Sequence, residues 1–274
     1  MIRLDKVVYK YPGSRNAAID DICLDLKKGD FTIIMGRNAS GKSTLARLLN
    51  GLYIPDSGRV EVDELDTCNR SDINSIRKKV GLLFSEPDSQ LVSNLVEEDV
   101  AFGPENIGMP AVQIIQRVDT ALKMVSMEDY KKYPPHLLSG GQKQRVCIAG
   151  LLALQPEYMV LDEPTSMLDP RSRREVMGTL LHLHREEGIS LILITHFLEE
   201  ALLADRIIIL DQGQVQWDGK PQEFMGDKKR RRELGINPAE ITDLIEQLNH
   251  DAGLTIPENT LDIEQLVDML CQLK

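Results

Sequence analysis

Gly36, Gly41, Lys42 and Ser43 stand in register with the pattern G-x-x-x-x-G-K-[ST], inside the stretch Gly36-Arg37-Asn38-Ala39-Ser40-Gly41-Lys42-Ser43-Thr44. Successive backbone N–H groups in such a loop can wrap phosphate oxygens, and a helix N-terminus behind them adds a positive dipole end. The lysine adds a cation that reaches the β- and γ-phosphates, and the serine hydroxyl is a ligand for magnesium. The chemistry indicated is binding of a magnesium nucleotide. A second group, Asp162-Glu163, lies 120 residues after Lys42. Asp162 can hold magnesium through water, and Glu163 can accept a proton from an attacking water. An acidic pair by itself fits a helix cap equally well; the phosphate loop upstream is what gives it meaning. His196 is a third candidate, although a lone histidine at a strand end is usually structural.

These residues need elements to hold them. Phe31 to Met35 is an apolar run that reads as a buried strand leading into the loop, and Leu45 to Asn50 reads as the helix leading out, closed by Gly51. Tyr158 to Leu161 is an apolar strand ending in Asp162 and Glu163, and Ser190 to Ile194 is another ending at Thr195-His196. Strands alternating with helices predict an α/β fold, a P-loop NTPase core of mainly parallel sheet. The ligand site then lies at the carboxyl ends of the strands, where Gly36, Asp162, Glu163 and His196 all fall. Ile2 to Val8, the alternating Ile22 to Leu26, and Arg59 to Asp63 predict an antiparallel β subdomain beside that core. Val80 to Phe84 is one more short apolar run, and Ile207 to Leu210 and Val215 to Trp217 flank a hairpin signal, Asp211-Gln212-Gly213.

From Glu86 to about Gly150 the chain reads as an inserted helical subdomain. Within it Val112, Ile115, Val118, Leu122 and Val125 recur at helical spacing over Ala111 to Met127, and Ser139-Gly140-Gly141-Gln142 opens a long helix running to about Leu154. The tail, 221–274, reads as a small C-terminal helical region. Asn237-Pro238-Ala239-Glu240 has an N-cap candidate with proline at the first helical position. Ile241, Leu244, Ile245 and Leu248, then Ile263, Leu266, Val267 and Leu270, form two apolar stripes that need a partner surface. The basic run Lys228 to Arg232 reads as a solvated helix face or linker, with anionic lipid headgroups as the functional alternative.

A 274-residue chain with 42% apolar residues is long enough for one large domain plus a smaller one. Its net charge of −11 argues against a general nucleic-acid surface. The four cysteines are far apart without a C-x-x-C pair, which indicates reduced cytosolic thiols rather than a zinc site or a disulfide framework. The start MIRLDKVVYKY reads as a strand, with no targeting signal. The longest apolar run, Val146 to Leu154, is nine residues, too short to span a bilayer.

With Leu138-Ser139-Gly140-Gly141-Gln142 added to the phosphate loop and the Asp162-Glu163 pair, the chain closely resembles the ATP-binding-cassette (ABC) ATPases over about residues 1 to 220. The resemblance implies a head-to-tail dimer with two ATP molecules sandwiched at its interface, and hydrolysis with Mg2+. Each site would take residues 36–44 from one chain and Ser139, Gly140, Gly141 and Gln142 from the other, with Ser139 and Gly141 facing the γ-phosphate. It also implies that Tyr11 stacks on adenine, that Asp169 belongs to the loop that speaks across the dimer, that Glu163 is the base, and that His196 contacts the γ-phosphate. Two positions depart from the family. Ala39 stands where glycine is usual, and costs about 1–2 kcal/mol if the site needs positive φ. Ser85 stands where a glutamine normally ligates magnesium and reports to the membrane subunit. Serine is two carbons shorter, so slower hydrolysis or weaker coupling is expected, with a bridging water as the remedy.

A narrower resemblance runs through Pro87-Asp88-Ser89-Gln90-Leu91, Glu97 to Asn106 and Gly140 to Gly150. These look like the energy-coupling-factor ATPases, which power uptake of vitamins and of cobalt or nickel ions, and Thr165 to Pro170 with Thr195 to Glu200 look like the first of their two paralogous subunits. This implies a second ATPase subunit (paralogue or self), a membrane scaffold subunit docking near Ser85 to Glu105, and a separate substrate-binding membrane subunit. It implies a peripheral place on the cytoplasmic face of the cell membrane, and a dimerisation role for 221–274. Asp88, Glu97, Glu98 and Asp99 are candidates to meet arginines of the scaffold, or else an acidic, solvated helix start. Two alternatives stay open: a nucleotide-binding partner with weak hydrolysis of its own, and a soluble non-transport cassette acting on DNA or ribosomes. The latter types carry long coiled coils or two cassettes, whereas only 96 residues separate Lys42 from Ser139 and there is one phosphate loop.

Overall fold

A computed structural model describes residues 1–236, 240–257 and 263–272. The central sheet has the order β10-β9-β3-β8-β7-β6, formed by β3 (Phe31–Gly36), β6 (Val80–Leu83), β7 (Tyr158–Asp162), β8 (Ser190–Ile194), β9 (Arg206–Asp211) and β10 (Gln214–Gly219). All neighbours are parallel except the edge hairpin β9–β10. β3, β7 and β8 are buried on both faces, as their unbroken apolar runs require. A second, antiparallel sheet, β2-β1-β4-β5, comprises β1 (Ile2–Tyr9), β2 (Ile19–Leu26), β4 (Ser57–Val62) and β5 (Leu65–Asp66). Its inner residues join β3 and the helix α1 (Lys42–Leu49) in one apolar core.

The other helices are α2 (Ile73–Lys79), α3 (Val96–Asn106), α4 (Ala111–Met124), α5 (Gly140–Leu152), α6 (Pro170–Glu187), α7 (Leu198–Ala201), α8 (Pro221–Gly226), α9 (Lys228–Glu233), α10 (Glu240–Asp251) and α11 (Ile263–Gln272). Of these, α2 adds Ile76 to the same core as α1, and the rest cover the opposite face or belong to the tail. The stripe predicted on α4 is only partly core. Val118, Leu122 and Val125 are buried, whereas Val112 and Ile115 are exposed. The predicted hairpin forms, with Gln212 and Gly213 both at positive φ, as a two-residue turn of the right hand requires.

The basic run is a helix whose Lys229, Arg230 and Arg232 are exposed, as a solvated face or linker requires, and only part of it is packed. Arg230 lies 5.1 Å from the Trp217 ring and donates to Gln216 O, Arg231 is buried, and Lys229 faces Glu233. The run forms α9, a linker helix fixed on the edge hairpin. In the tail, Ile245, Ile256 and Leu266 form a small core of their own, while Leu244 and Val267 are exposed. The helix-start reading at Asn237 to Ala239 falls outside the described residues.

Candidate ATP-binding and hydrolysis site

Parallel register brings the ends of β3, β7 and β8 to one edge: Ile34 pairs with Ile194, and Ile194 with Asp162. The loop from Gly36 to Gly41 leaves β3 there. Gly36 has φ 151° and a Cβ would meet Leu210 O at 2.0 Å; Gly41 has φ 106° and a Cβ would meet Ala18 O at 2.4 Å. Only glycine fits either place. Ala39 does occupy the left-handed region, at φ 63°, so the strain anticipated for an alanine there is present.

Lys42 is 6% exposed, and its Nζ donates to Gly36 O at 2.8 Å and Arg37 O at 2.9 Å. No carboxylate forms an ion pair with it among the described residues. Burial pushes its pKa down, opposed by Glu163 and Asp162. A buried ammonium held by carbonyls alone is built for an incoming anion. Ser40 Oγ is buried in the same loop without a partner, a second polar atom awaiting a ligand. Asn38 and Arg37 are exposed, and the Arg37 side chain packs against Gly235. These features fit a triphosphate.

Ser43 Oγ donates to Asp162 Oδ1 at 3.0 Å. Burial raises the Asp162 pKa, while the bond from Ser43 and the charge of Arg47 oppose that shift. A hydroxyl beside a carboxylate suits a hard cation such as Mg2+. Among the described residues no group of three His, Cys, Asp or Glu side chains could hold a metal. The site fits a magnesium that draws its remaining ligands from phosphate and water. Ser85 follows the end of β6, next to β7 in the sheet. Gln90 does not reach out to replace the missing glutamine. Its Oε1 accepts from Phe84 N–H at 3.1 Å, and its Nε2 donates to Phe84 O and Glu86 O at 3.0 Å.

Glu163 and His196 sit side by side, Oε2 to Nδ1 3.7 Å. Glu163 has φ 52°, its carbonyl held by Ser166 N–H and Oγ. Strained backbone of this kind clusters at functional sites. Tyr11 is 40% exposed, edge-on to Tyr9 and Tyr53, and its hydroxyl is 2.8 Å from Thr44 Oγ1 at the start of α1.

Ser139 caps α5. Its Oγ accepts from Gln142 N–H, and Gln142 Oε1 accepts from Ser139 N–H. The box leaves the first-turn amides of Gly140 and Gly141 for an anion. A Cβ on Gly141 would meet Ser172 Cβ at 2.8 Å, so α5 and α6 touch there. Asp169 caps α6, accepting from Arg171 N–H and Ser172 N–H, and the bonds from Ser172 hold its carboxyl below the usual range. Ser139 to Gln142 and Asp169 are thus on the same chain's helix starts, with the Gly36–Thr44 loop a separate half.

The profile of the ABC transporter family matches residues 19–166. The chain belongs to the ABC transporter family. Within it the similarity to energy-coupling-factor ATPases runs full length. The energy-coupling factor transporter ATP-binding protein EcfA of Syntrophomonas wolfei is 48% identical over 271 residues, 99% of each chain. EcfA1 of Clostridium novyi is 47% identical over 277 residues, 100% of this chain and 99% of that one. Among solved structures, cbiO1 of Clostridium perfringens, described as part of the ABC transporter complex cbiONQ, superposes with a TM-score of 0.77 at 37% identity, covering 89% of this chain and 98% of that one. This ABC ATPase is therefore of the energy-coupling-factor type, and it hydrolyses ATP.

Three residues near the site had no role assigned from the sequence. Thr165, Arg173 and Glu200 surround the loops carrying Glu163 and His196. Thr165 and Glu200 fell inside the family-like segments 165–170 and 195–200, without a role, and Arg173 had no signal. The acidic candidates also divide. Asp88 pairs with Lys143, and Glu97 with Lys132 and Lys131. Asp99 is not a solvated helix-start acid: its Oδ1 accepts from Val92 and Ser93 N–H, and its Oδ2 is buried without a partner.

Proposed function

We propose that this chain is the ATP-hydrolysing motor subunit of an energy-coupling-factor importer for vitamins or transition-metal ions. MgATP is sandwiched between it and a second ATPase subunit, a paralogue or another copy. The observation that carries the reading is the meeting of Lys42, the Ser43–Asp162 pair and the Glu163–His196 pair at one edge of the parallel sheet. Lys42 and the amides of residues 36–44 bind the phosphates, and Tyr11 stacks on the base. Ser43, Asp162 and Ser85 hold magnesium, which when bound neutralises charge on the β- and γ-oxygens. Glu163 takes the proton of the attacking water, and His196 orients toward the γ-phosphate. Ser139 to Gln142 and Asp169 complete the site on the facing subunit.

Residues 1–220 form the ATPase domain, with a helical subdomain over about 86–150, and 221–274 the dimerisation region. Exposed Leu244 and Val267 support the latter. A membrane scaffold docks in the groove lined by Leu91, Val92, Phe102, Leu151 and Leu154, with partly buried Asp99 also in its lining. The chain then rides on the cytoplasmic face of the membrane; among the described residues no helix is long and apolar enough to cross one. A separate membrane subunit holds the cargo. The relatives' names and the cbiONQ assembly support these partners. Ser85, with Gln90 tied to the Phe84 backbone, favours a second reading in which this chain's own site turns over weakly.

The test is phosphate release and cargo uptake by the assembled complex with Lys42→Ala in this chain. Loss of both supports the motor role; uptake at the unaltered rate contradicts it.

A further inference from the structure

The loops that flank the hydrolytic pair converge on one buried carboxylate. Glu200, in α7, is 3% exposed, and its Oε1 accepts from the Thr165 hydroxyl at 2.6 Å. Its Oε2 is buried without a partner. Thr165 belongs to the loop in which Ser166 grips the Glu163 carbonyl. On the other side is Thr195, adjacent to His196. Its hydroxyl accepts from Phe197 N–H at 3.0 Å and lies near enough to Glu200 to favour its charge. Arg173 closes the cluster from the first turn of α6. Its Nη2 donates to Leu168 O at 3.4 Å, its Cζ is 3.4 Å from the Phe197 ring centroid, and its charge also favours ionised Glu200. Leu168 is the residue before Asp169.

Burying an acid is expensive, and burial does push Glu200 above the usual carboxylate range. An apolar side chain would fill the space at lower cost, so packing alone does not explain a carboxylate here. What the carboxylate does supply is a hydrogen-bond acceptor between two loops that have no regular structure of their own. Glu163 in turn needs over-determined surroundings to hold a left-handed backbone.

We propose that Glu200 is a positioning residue for ATP hydrolysis, joined by Arg173, and that the pair locks the loops bearing Glu163, His196 and Asp169 into one unit. Movement of Asp169 at the subunit interface is thereby transmitted through Leu168 and Arg173 to the two hydrolytic side chains. The inference rests on the reading of Glu163 and His196 as that pair.

The test uses the full-length chain in its assembled complex and compares Glu200→Ala, Glu200→Asp, Glu200→Gln and Glu163→Gln. Phosphate release gives kcat, and a fluorescent ATP analogue gives nucleotide affinity. Alanine, and aspartate with its shorter reach, lower kcat by about tenfold or more, since small misplacement of reacting groups costs up to about a hundredfold. Nucleotide affinity stays unchanged, and glutamine, which keeps the acceptor for Thr165, restores most turnover. If Glu200→Ala does not fold, Thr165→Val and Arg173→Ala are read for the same split. Normal kcat in the alanine variants overturns the inference. So does parallel loss of affinity and turnover that glutamine fails to rescue. Normal turnover in Glu163→Gln instead overturns the underlying reading, whatever the Glu200 variants do.

Discussion

The hydroxyl of Ser43 donates to the carboxylate of Asp162 at 3.0 Å, joining the start of α1 to the end of β7 across 119 residues. This pair presents a hydroxyl and an acid side by side where the phosphate loop ends. Replacing Ser43 by alanine removes one oxygen while leaving Lys42 in place. Nucleotide affinity without Mg2+ is then expected to hold, and the gain on adding Mg2+ to fall; titration with a fluorescent nucleotide in EDTA and in Mg2+ reads both.

Among the described residues Lys42 is hydrogen-bonded to carbonyls and forms no ion pair, although Glu163 and Asp162 act on it by charge. A charged hydrogen bond is worth about 1.5–3 kcal/mol, so Lys42→Ala is expected to weaken ATP binding by roughly ten- to a hundredfold. Calorimetric titration checks this, and unaltered affinity would count against the loop as the phosphate site.

Ala39 holds φ 63°. Left-handed backbone costs alanine about 1–2 kcal/mol, and glycine returns about 0.5–1 kcal/mol of that in unfolded-chain entropy. Ala39→Gly should therefore raise the thermal midpoint modestly with ATP affinity retained, as differential scanning calorimetry will read.

Asp99 is a partly buried acid beside Val92 and Phe102, its pKa raised by burial and its buried Oδ2 unpartnered. A carboxyl with raised folded pKa binds its proton more tightly in the folded state. Its penalty is absent below the unfolded value of 3.8 and grows as pH rises from there through the folded pKa. Asp99→Asn keeps the acceptor for Val92 and Ser93 N–H and removes the charge. The variant is expected to gain stability at neutral pH relative to the unaltered chain and to lose that gain in acid, measured by urea unfolding across pH.

Ser85→Gln restores a side chain long enough to reach a cation at the ends of β6 and β7. Turnover and cargo uptake should rise. If neither changes, the idea that Ser85 limits this site is wrong.

Contiguous features were the legible ones. The loop at Gly36 to Thr44, the acidic end of β7 and the helix opening at Ser139–Gln142 each need only a few adjacent residues and a local backbone shape. The alternation of strands and helices likewise predicts the parallel sheet and hence which ends meet. Features that depend on distant side chains were not legible. That Gln90 is spent on the Phe84 backbone, that Asp99 turns one oxygen inward, and that Glu200 joins Thr165 all follow from how loops lie over the finished sheet. The basic run was legible as an exposed helix, but not the packing of Arg231 and Arg230 within it. Trp217 and the edge hairpin give Arg230 a ring and a carbonyl to rest on. Val112 and Ile115 obey helical spacing yet lie on the open side of α4, because spacing defines a stripe and not which part of it is covered.

The central claim is that Glu163 is the base of an ATP site completed by a second subunit. It is tested most directly by light scattering of the purified Glu163→Gln chain, alone and mixed with its partner ATPase, with and without MgATP, alongside phosphate release. Bound ATP, no turnover and an ATP-dependent closed dimer are the expected result. Turnover at the unaltered rate would contradict it.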